Sequence, residues 1–384
     1  MTSQPTVSQF PEKQKPGEST ARIEHPFAPL EEVSKPSLKK AMFSVPLAGI
    51  ICGFILLKTQ LYLPQVIRDQ FSIISDPKHA DYTLLVFGLS AIAASSVVFS
   101  VISMIAPNVF KSLRNPLYNT NQGRIASFAG SLLVGSGMAM NGHTPLVLMT
   151  QLCTNCTNYN PFLGMLTGAS VAMLVKPYLR MFLSLRASKQ KAKPYMDTQL
   201  NMNTAFFLSL QALVFTALAI AASHFLLKWT IYSGWVTFSM NSMIHHPLLS
   251  GQIYGLINFL LVPSVMSGIS AYKPFALLAQ SAVAMFPKLG MVQPPRNLEN
   301  YWQFLFLAFT FGSSFLGKRF TPVAESCEIA DPRRDFVGSF LQMFGAQLAS
   351  GDPSYIMNHV AMGSNYESLL GMGIGGVLTN TFVM

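Results

Sequence analysis

A chain of 384 residues that is 50% hydrophobic and only 11% charged, with a mean hydropathy of +0.37, falls outside the ordinary soluble class, where about a quarter of residues are charged. It reads as an all-α polytopic membrane protein. The formal net charge of +10 does not indicate nucleic acid, because Lys and Arg are spread between apolar runs and form no basic domain with interleaved aromatics.

In chain order, residues 1–41 form a polar, proline-rich tail with Glu12, Glu18 and Glu24 set against Lys13, Lys15 and Arg22. It has no early apolar core for a secretory leader, and its acids are unlike an acid-poor transit peptide. A segment of this composition becomes ordered only by packing on something, so contact with other membrane-protein subunits is expected through it. Because a bilayer core needs about 20 mostly apolar residues per helix, the remainder holds about nine candidate spans. They lie near 42–63, 82–106, 125–141, 161–183, 203–226, 250–270, 302–317, 336–350 and 366–384. The stretch 274–290 is apolar but short and bounded by prolines, which suits a re-entrant or interfacial piece. The expected organisation is a tail (1–41), a first membrane repeat (42–202) and a second (203–384).

Loops on the N-terminal side of this layout carry Lys111, Arg114, Lys189, Lys191, Lys193, Lys273, Lys288 and Arg296. The opposite side has mixed loops, with Arg68 beside Asp69, and Arg333 and Arg334 between Asp331 and Asp335. Basic loops stay inside, so the N-terminus is expected inside, in the inner mitochondrial membrane or otherwise the plasma membrane.

The chain repeats itself. "GSLLVGSGMAMNGHTPLVLMTQ" (130–151) lies over "GSFLQMFGAQLASGDPSYIMNH" (338–359), matching Gly130, Ser131, Leu133, Gly137, Pro145 and Met149 to Gly338, Ser339, Leu341, Gly345, Pro353 and Met357. One residue out of register, "NYNPFLGMLTGA" (158–169) matches "NYESLLGMGIGG" (365–376). With five steps from the third span to the eighth, the two copies face opposite sides of the membrane, an inverted repeat of the transporter type. Each copy breaks its apolar run at a glycine and a proline, in "NGHTP" (Asn141, Gly142, His143, Thr144, Pro145) and in Gly351, Asp352, Pro353. Gly142 and Gly351 allow a turn, Thr144 and Asp352 are caps, and the prolines suit a first helical position. Either these are half-helix starts aimed at a midplane site or they are junctions near an interface.

Three further features bear on chemistry. His143 and His359 are proton-carrier candidates beside Asp352, or are bonded into the local backbone. Cys153 and Cys156 would place thiols near the path, or pack as small apolar residues. The four cysteines make no secreted disulfide framework, and "CTNC" lacks the second pair that zinc needs. The doublet His245 and His246 suits an interfacial loop. No metal site, cofactor or enzyme constellation is legible.

The two repeat segments, together with "GFILLKTQLYLPQVIRDQF" (53–71), resemble the YeeE/YedE sulphur-transport family over roughly 45–384. That resemblance implies nine crossings, an inverted repeat, short helices meeting at the middle, and carriage of thiosulphate or a related small anion. The family carries a cysteine just after each glycine turn, thought to relay the sulphur substrate, and those positions here are Thr144 and Asp352. An ionised Asp352 would repel an anion, since unit charges about 4 Å apart interact by roughly 4 kcal/mol at an effective dielectric of 20. Two functions follow: an accessory or scaffold subunit that keeps the fold without the cysteine relay, or a transporter of a small ion with a re-tuned site.

Overall fold

The structure is a computed structural model that describes residues 38–119, 124–187, 195–226, 246–284, 302–320, 327–328, 330–349 and 351–383. Residues 1–37 of the tail, His245, Lys189, Lys191, Lys193, Lys288 and Arg296 lie outside the described residues. The helices are α1 (Leu38–Lys58), α2 (Pro64–Asp69), α3 (Thr83–Ile105), α4 (Pro107–Asn119), α5 (Arg124–Asn141), α6 (Val147–Thr154), α7 (Asn160–Ala187) and α8 (Met196–Gln199). They continue with α9 (Thr204–Phe225), α10 (Pro247–Val265), α11 (Tyr272–Ala284), α12 (Trp302–Gly317), α13 (Pro332–Ala349), α14 (Pro353–Ala361) and α15 (Tyr366–Val383). Among the described residues there is no strand.

Among the described residues, four helices are long and apolar enough to cross a membrane: Lys39–Lys58, Thr83–Ile105, Thr204–Phe225 and Pro247–Val265. Shorter apolar helices occupy Ile125–Asn141, Asn160–Val175 and Trp302–Gly317. Such a chain is helical because helices satisfy their own backbone polar groups where no water can. Large apolar side chains face outward, among them Phe206, Leu213 and Phe225 on α9, a surface suited to lipid. The chain is thus a helical membrane protein. Helix α1 starts at Leu38, inside the expected tail, and α11 takes in 274–284 of the stretch 274–290, whose last residues lie outside the described ones.

Packing is set by glycines that let backbones touch. Helices α5 and α13 run antiparallel: a Cβ on Gly137 would lie 2.3 Å from the Gly338 carbonyl oxygen, and one on Gly345 would lie 2.4 Å from that of Gly130. Parallel contacts flank this pair. On α7, Gly164 and Gly168 meet the carbonyls of Phe336 and Phe340 on α13, and on α15, Gly371 and Gly375 meet those of Phe128 and Leu132 on α5. Further out, Gly49 and Gly53 of α1 meet Phe306 and Thr310 of α12, while Gly251 and Gly255 of α10 meet Phe87 and Ala91 of α3. Small residues four apart are how membrane helices approach closely, since lipid offers little hydrophobic drive between them. Helix α9 packs antiparallel on α3, with Ser100 Oγ donating to the Ala205 carbonyl and Gln211 Nε2 to Ser96 Oγ.

Two loop charges behave differently from the expectation that they serve only orientation. Arg114 on α4 is buried, donating to Asp197 Oδ2 at 2.9 Å and to the Met362 carbonyl at 2.8 Å. Its guanidinium lies 3.9 Å from the Tyr195 ring centre and 4.5 Å from that of Phe110. Asp335 is also buried, on the first turn of α13.

Replacing Gly137 by Leu forces a side chain into the α13 backbone. We expect a loss beyond the roughly 1–3 kcal/mol of core overpacking, read as thermal unfolding in detergent. Gly312→Leu, whose Cβ meets nothing within 4 Å, should leave the melting temperature unchanged. Arg114→Ala removes the charge partner of the Asp197 carboxylate, leaving it the Thr204 hydroxyl, and should cost about 3–5 kcal/mol in the same assay, with Lys a poor substitute because it loses the two-pronged, stacked geometry.

Candidate functional site

The first junction joins α5 to α6. Gly142 has φ +68°, a left-handed turn that glycine adopts without steric cost. It also leaves room for α2, since a Cβ there would lie 2.3 Å from the Pro64 carbonyl oxygen. Thr144 caps α6 as expected, its Oγ1 accepting from the Val147 N–H at 3.2 Å and its carbonyl from the Leu148 N–H at 2.9 Å. Pro145 sits in the turn between cap and helix.

A buried polar network surrounds this turn. Asn141 donates to Ser339 Oγ at 2.8 Å and accepts from the His143 N–H at 2.9 Å. Gln342 donates to the His143 carbonyl at 2.8 Å, and Gln151 donates to the Gly142 carbonyl at 3.0 Å. The His143 ring lies between Gln151 and Asp335, with Nε2 3.4 Å from Asp335 Oδ1. Asp335, Ser339 and Gln342 therefore form one polar stripe of α13 turned toward the junction.

The second junction joins α13 to α14. Asp352 is fully buried and caps α14, accepting from the Tyr355 N–H at 3.3 Å. Its carboxylate also accepts from Ser270 Oγ at 3.5 Å and from the Ala271 N–H at 3.4 Å. Pro353 takes the first helical position. Gly351 is not in the left-handed region; a Cβ there would lie 2.3 Å from the Tyr355 ring, so the position is small to admit an aromatic side chain. Around that ring gather His359 at 4.1 Å, Tyr272 at 6.0 Å and the Lys273 ammonium at 5.1 Å from its centre.

The two junctions do not form one site. Asn141, the end of α5, meets Ser339, whereas Ala349, the end of α13, packs at Gly130. The stretch of α5 from Gly130 to Asn141 rises about 16 Å, so the helix ends lie apart along the pair. The expectation of proton carriers beside Asp352 is corrected for His143, whose carboxylate neighbour is Asp335.

The cysteines also depart from expectation. Cys156 is not a free packed thiol: it is joined to Cys327, with Cα atoms 5.3 Å apart. Cys153 is free and donates to the Phe311 carbonyl at 3.1 Å on α12. Among the described residues no group of three or more His, Cys, Asp or Glu is placed to hold a metal. His246 caps α10, accepting from the Leu248 N–H at 3.2 Å. Asp335 and Lys273 are the site residues that sequence reasoning missed. For Asp335 the signal was its i, i+4, i+7 spacing with Ser339 and Gln342; for Lys273 no local signal distinguishes it from a loop charge.

Fold and junctions together define a helical membrane protein with two helix–turn–helix junctions. No protein-family model matches the chain, and no curated protein matches it.

Asp352→Ala removes the acceptor for the Tyr355 and Ala271 N–H groups and should cost about 1–2 kcal/mol, in the range of a lost helix cap. Asp352→Asn keeps a carbonyl acceptor and should lose much less. Thermal unfolding of both variants in detergent checks the ranking.

Proposed function

We propose that the chain is a nine-crossing membrane protein built as an inverted repeat, with the plan of the YeeE/YedE sulphur transporters, and that it serves as an accessory or scaffold subunit of a larger membrane complex. The packing directions support the nine crossings: α1 runs parallel to α12, α3 to α10, α5 to α15 and α7 to α13, while α5 opposes α13. Alternating crossings require each of these directions. Repeat-matched glycines support the inversion. Gly130 and its match Gly338 each face the other copy's partner glycine, Gly345 and Gly137, the reciprocal pattern of a two-fold interface. On this reading α1 corresponds to α10 and α9 has no counterpart.

The observation that carries the function is Asp352. A helix N-terminus is a natural anion seat, and the one at α14 already holds this protein's own carboxylate, bonded to the Tyr355 and Ala271 N–H groups. At the matched α6 start, Thr144 fills the same role. Thiosulphate would meet a negative charge at one junction and a satisfied cap at the other, with no thiol at either.

The face carrying Cys156 and Cys327 lies opposite the N-terminus in this layout. Disulfides persist in oxidising compartments, which supports the N-terminus inside. The inner mitochondrial membrane and the plasma membrane both fit. The tail is the proposed contact with partner subunits, and no enzymatic role is assigned. A second reading, transport of a small ion through a re-tuned path, is favoured by the buried ionisable pair His143 and Asp335, since such groups inside membranes often mark ion or proton routes.

Solubilisation in mild detergent and native-gel migration separates the two. We expect co-migration with a larger complex and no entry of labelled thiosulphate into proteoliposomes. A chain that migrates alone and admits thiosulphate sinks the accessory reading.

A further inference from the structure

The hydrogen bonds around His143 dictate where its protons sit. The Gly142 carbonyl only accepts, so the end of Gln151 facing it at 3.0 Å is the NH2 group. The other end of that amide, its carbonyl oxygen, faces His143 Nδ1. Nδ1 therefore carries a hydrogen, and Nε2 is the nitrogen left to face Asp335 Oδ1 at 3.4 Å.

In a neutral ring with Nδ1–H, Nε2 is a lone pair. It would then point at a second acceptor, the Asp335 carboxylate. Asp335 is 0% exposed and His143 1% exposed, and neither carboxylate oxygen receives a hydrogen bond from a described residue. A buried carboxylate without a donor is strongly unfavourable. The Thr157 hydroxyl, 3.4 Å from Nε2, could satisfy the nitrogen alone and would leave the carboxylate bare. One proton between the two groups resolves both problems, either as imidazolium with carboxylate or as imidazole with carboxylic acid.

We infer that His143 and Asp335 form a buried proton-binding site at the first junction, which holds one proton between imidazole Nε2 and the carboxyl group. A metal ion lacks the ligands there, since among the described residues no third His, Cys, Asp or Glu joins the pair. Neighbouring charges are engaged elsewhere. Arg68 on α2 pairs with Glu328 at 3.5 Å, and Lys318 after α12 reaches the Cys153 carbonyl at 3.5 Å. Asp331, Arg333 and Arg334 at the α13 start are exposed. Asp69 on α2, Cys153 on α6 and Tyr159 before α7 are further titratable groups on neighbouring elements, and none of them bonds to the pair; Tyr178 on α7 is exposed. The residues in direct contact with His143, namely Asn141, Gln151, Thr157 and Gln342, are neutral. The site stands whether or not the chain conducts an ion.

The test uses the full chain in detergent micelles with nitrogen-15 histidine. The His143 signals are those lost in His143→Gln. At about pH 7.5, one unit above the ordinary histidine value, we expect one of two outcomes. Either both ring nitrogens of His143 are protonated, or the ring is neutral and an infrared carboxylic-acid band is present. In the first case Asp335→Asn should strip the proton from Nε2, and in the second it should abolish the band. Should Asp335→Asn fail to fold, Asp335→Glu keeps the acid and should shift the band or the ring signals without removing the shared proton. A neutral ring with a bare Nε2 and no carboxylic-acid band in the unsubstituted protein overturns the inference, as does a change in the His143 signals on adding a metal chelator.

Discussion

Backbone contact between α5 and α13 is the constraint on which the rest depends. Lipid tails are as apolar as leucine, so helices in a membrane gain from close packing more than from leaving the solvent. Gly130, Gly137, Gly338 and Gly345 let the two helix axes approach until carbonyls and glycine Cα atoms touch. That approach fixes where α5 ends beside α13, and so which side chains of α13 meet the first junction. Asn141 reaches Ser339, and His143 reaches Asp335 and Gln342, because the glycines leave no slack in register.

Polar groups around the junctions then follow one rule: in a low dielectric each must find a partner within the protein. The turns' backbone groups satisfy it with different chemistry on a similar frame. At the first, the side-chain amides of Gln151 and Gln342 donate to the turn's own carbonyls, those of Gly142 and His143. At the second, one carboxylate takes the N–H groups of Tyr355 and Ala271. The positive end of α14, which would otherwise attract an anion, already meets the Asp352 carboxylate there.

The far ends of the short helices are also fastened, again by unlike means. Arg114 grips the Met362 carbonyl just past α14 while pairing with Asp197. Just past α6, the disulfide from Cys156 to Cys327 holds the chain.

Helix positions, the glycine and proline breaks and the matched segments were determined by sequence alone, because apolar run length and turn chemistry are local properties. The caps were legible for the same reason: Thr144 and Asp352 act on N–H groups three residues away. What only tertiary structure decided were the pairings across the chain. Asp335 and Arg114 read as loop charges by their neighbours in sequence, yet both are buried against partners on distant elements. Cys156 read as a free thiol, near the path or packed, because Cys327 is remote in sequence. The two junctions, alike in sequence, were expected to meet, and the antiparallel register of α5 and α13 holds them about 16 Å apart at helical rise. Register between helices depends on which surfaces interlock, and no local pattern encodes it.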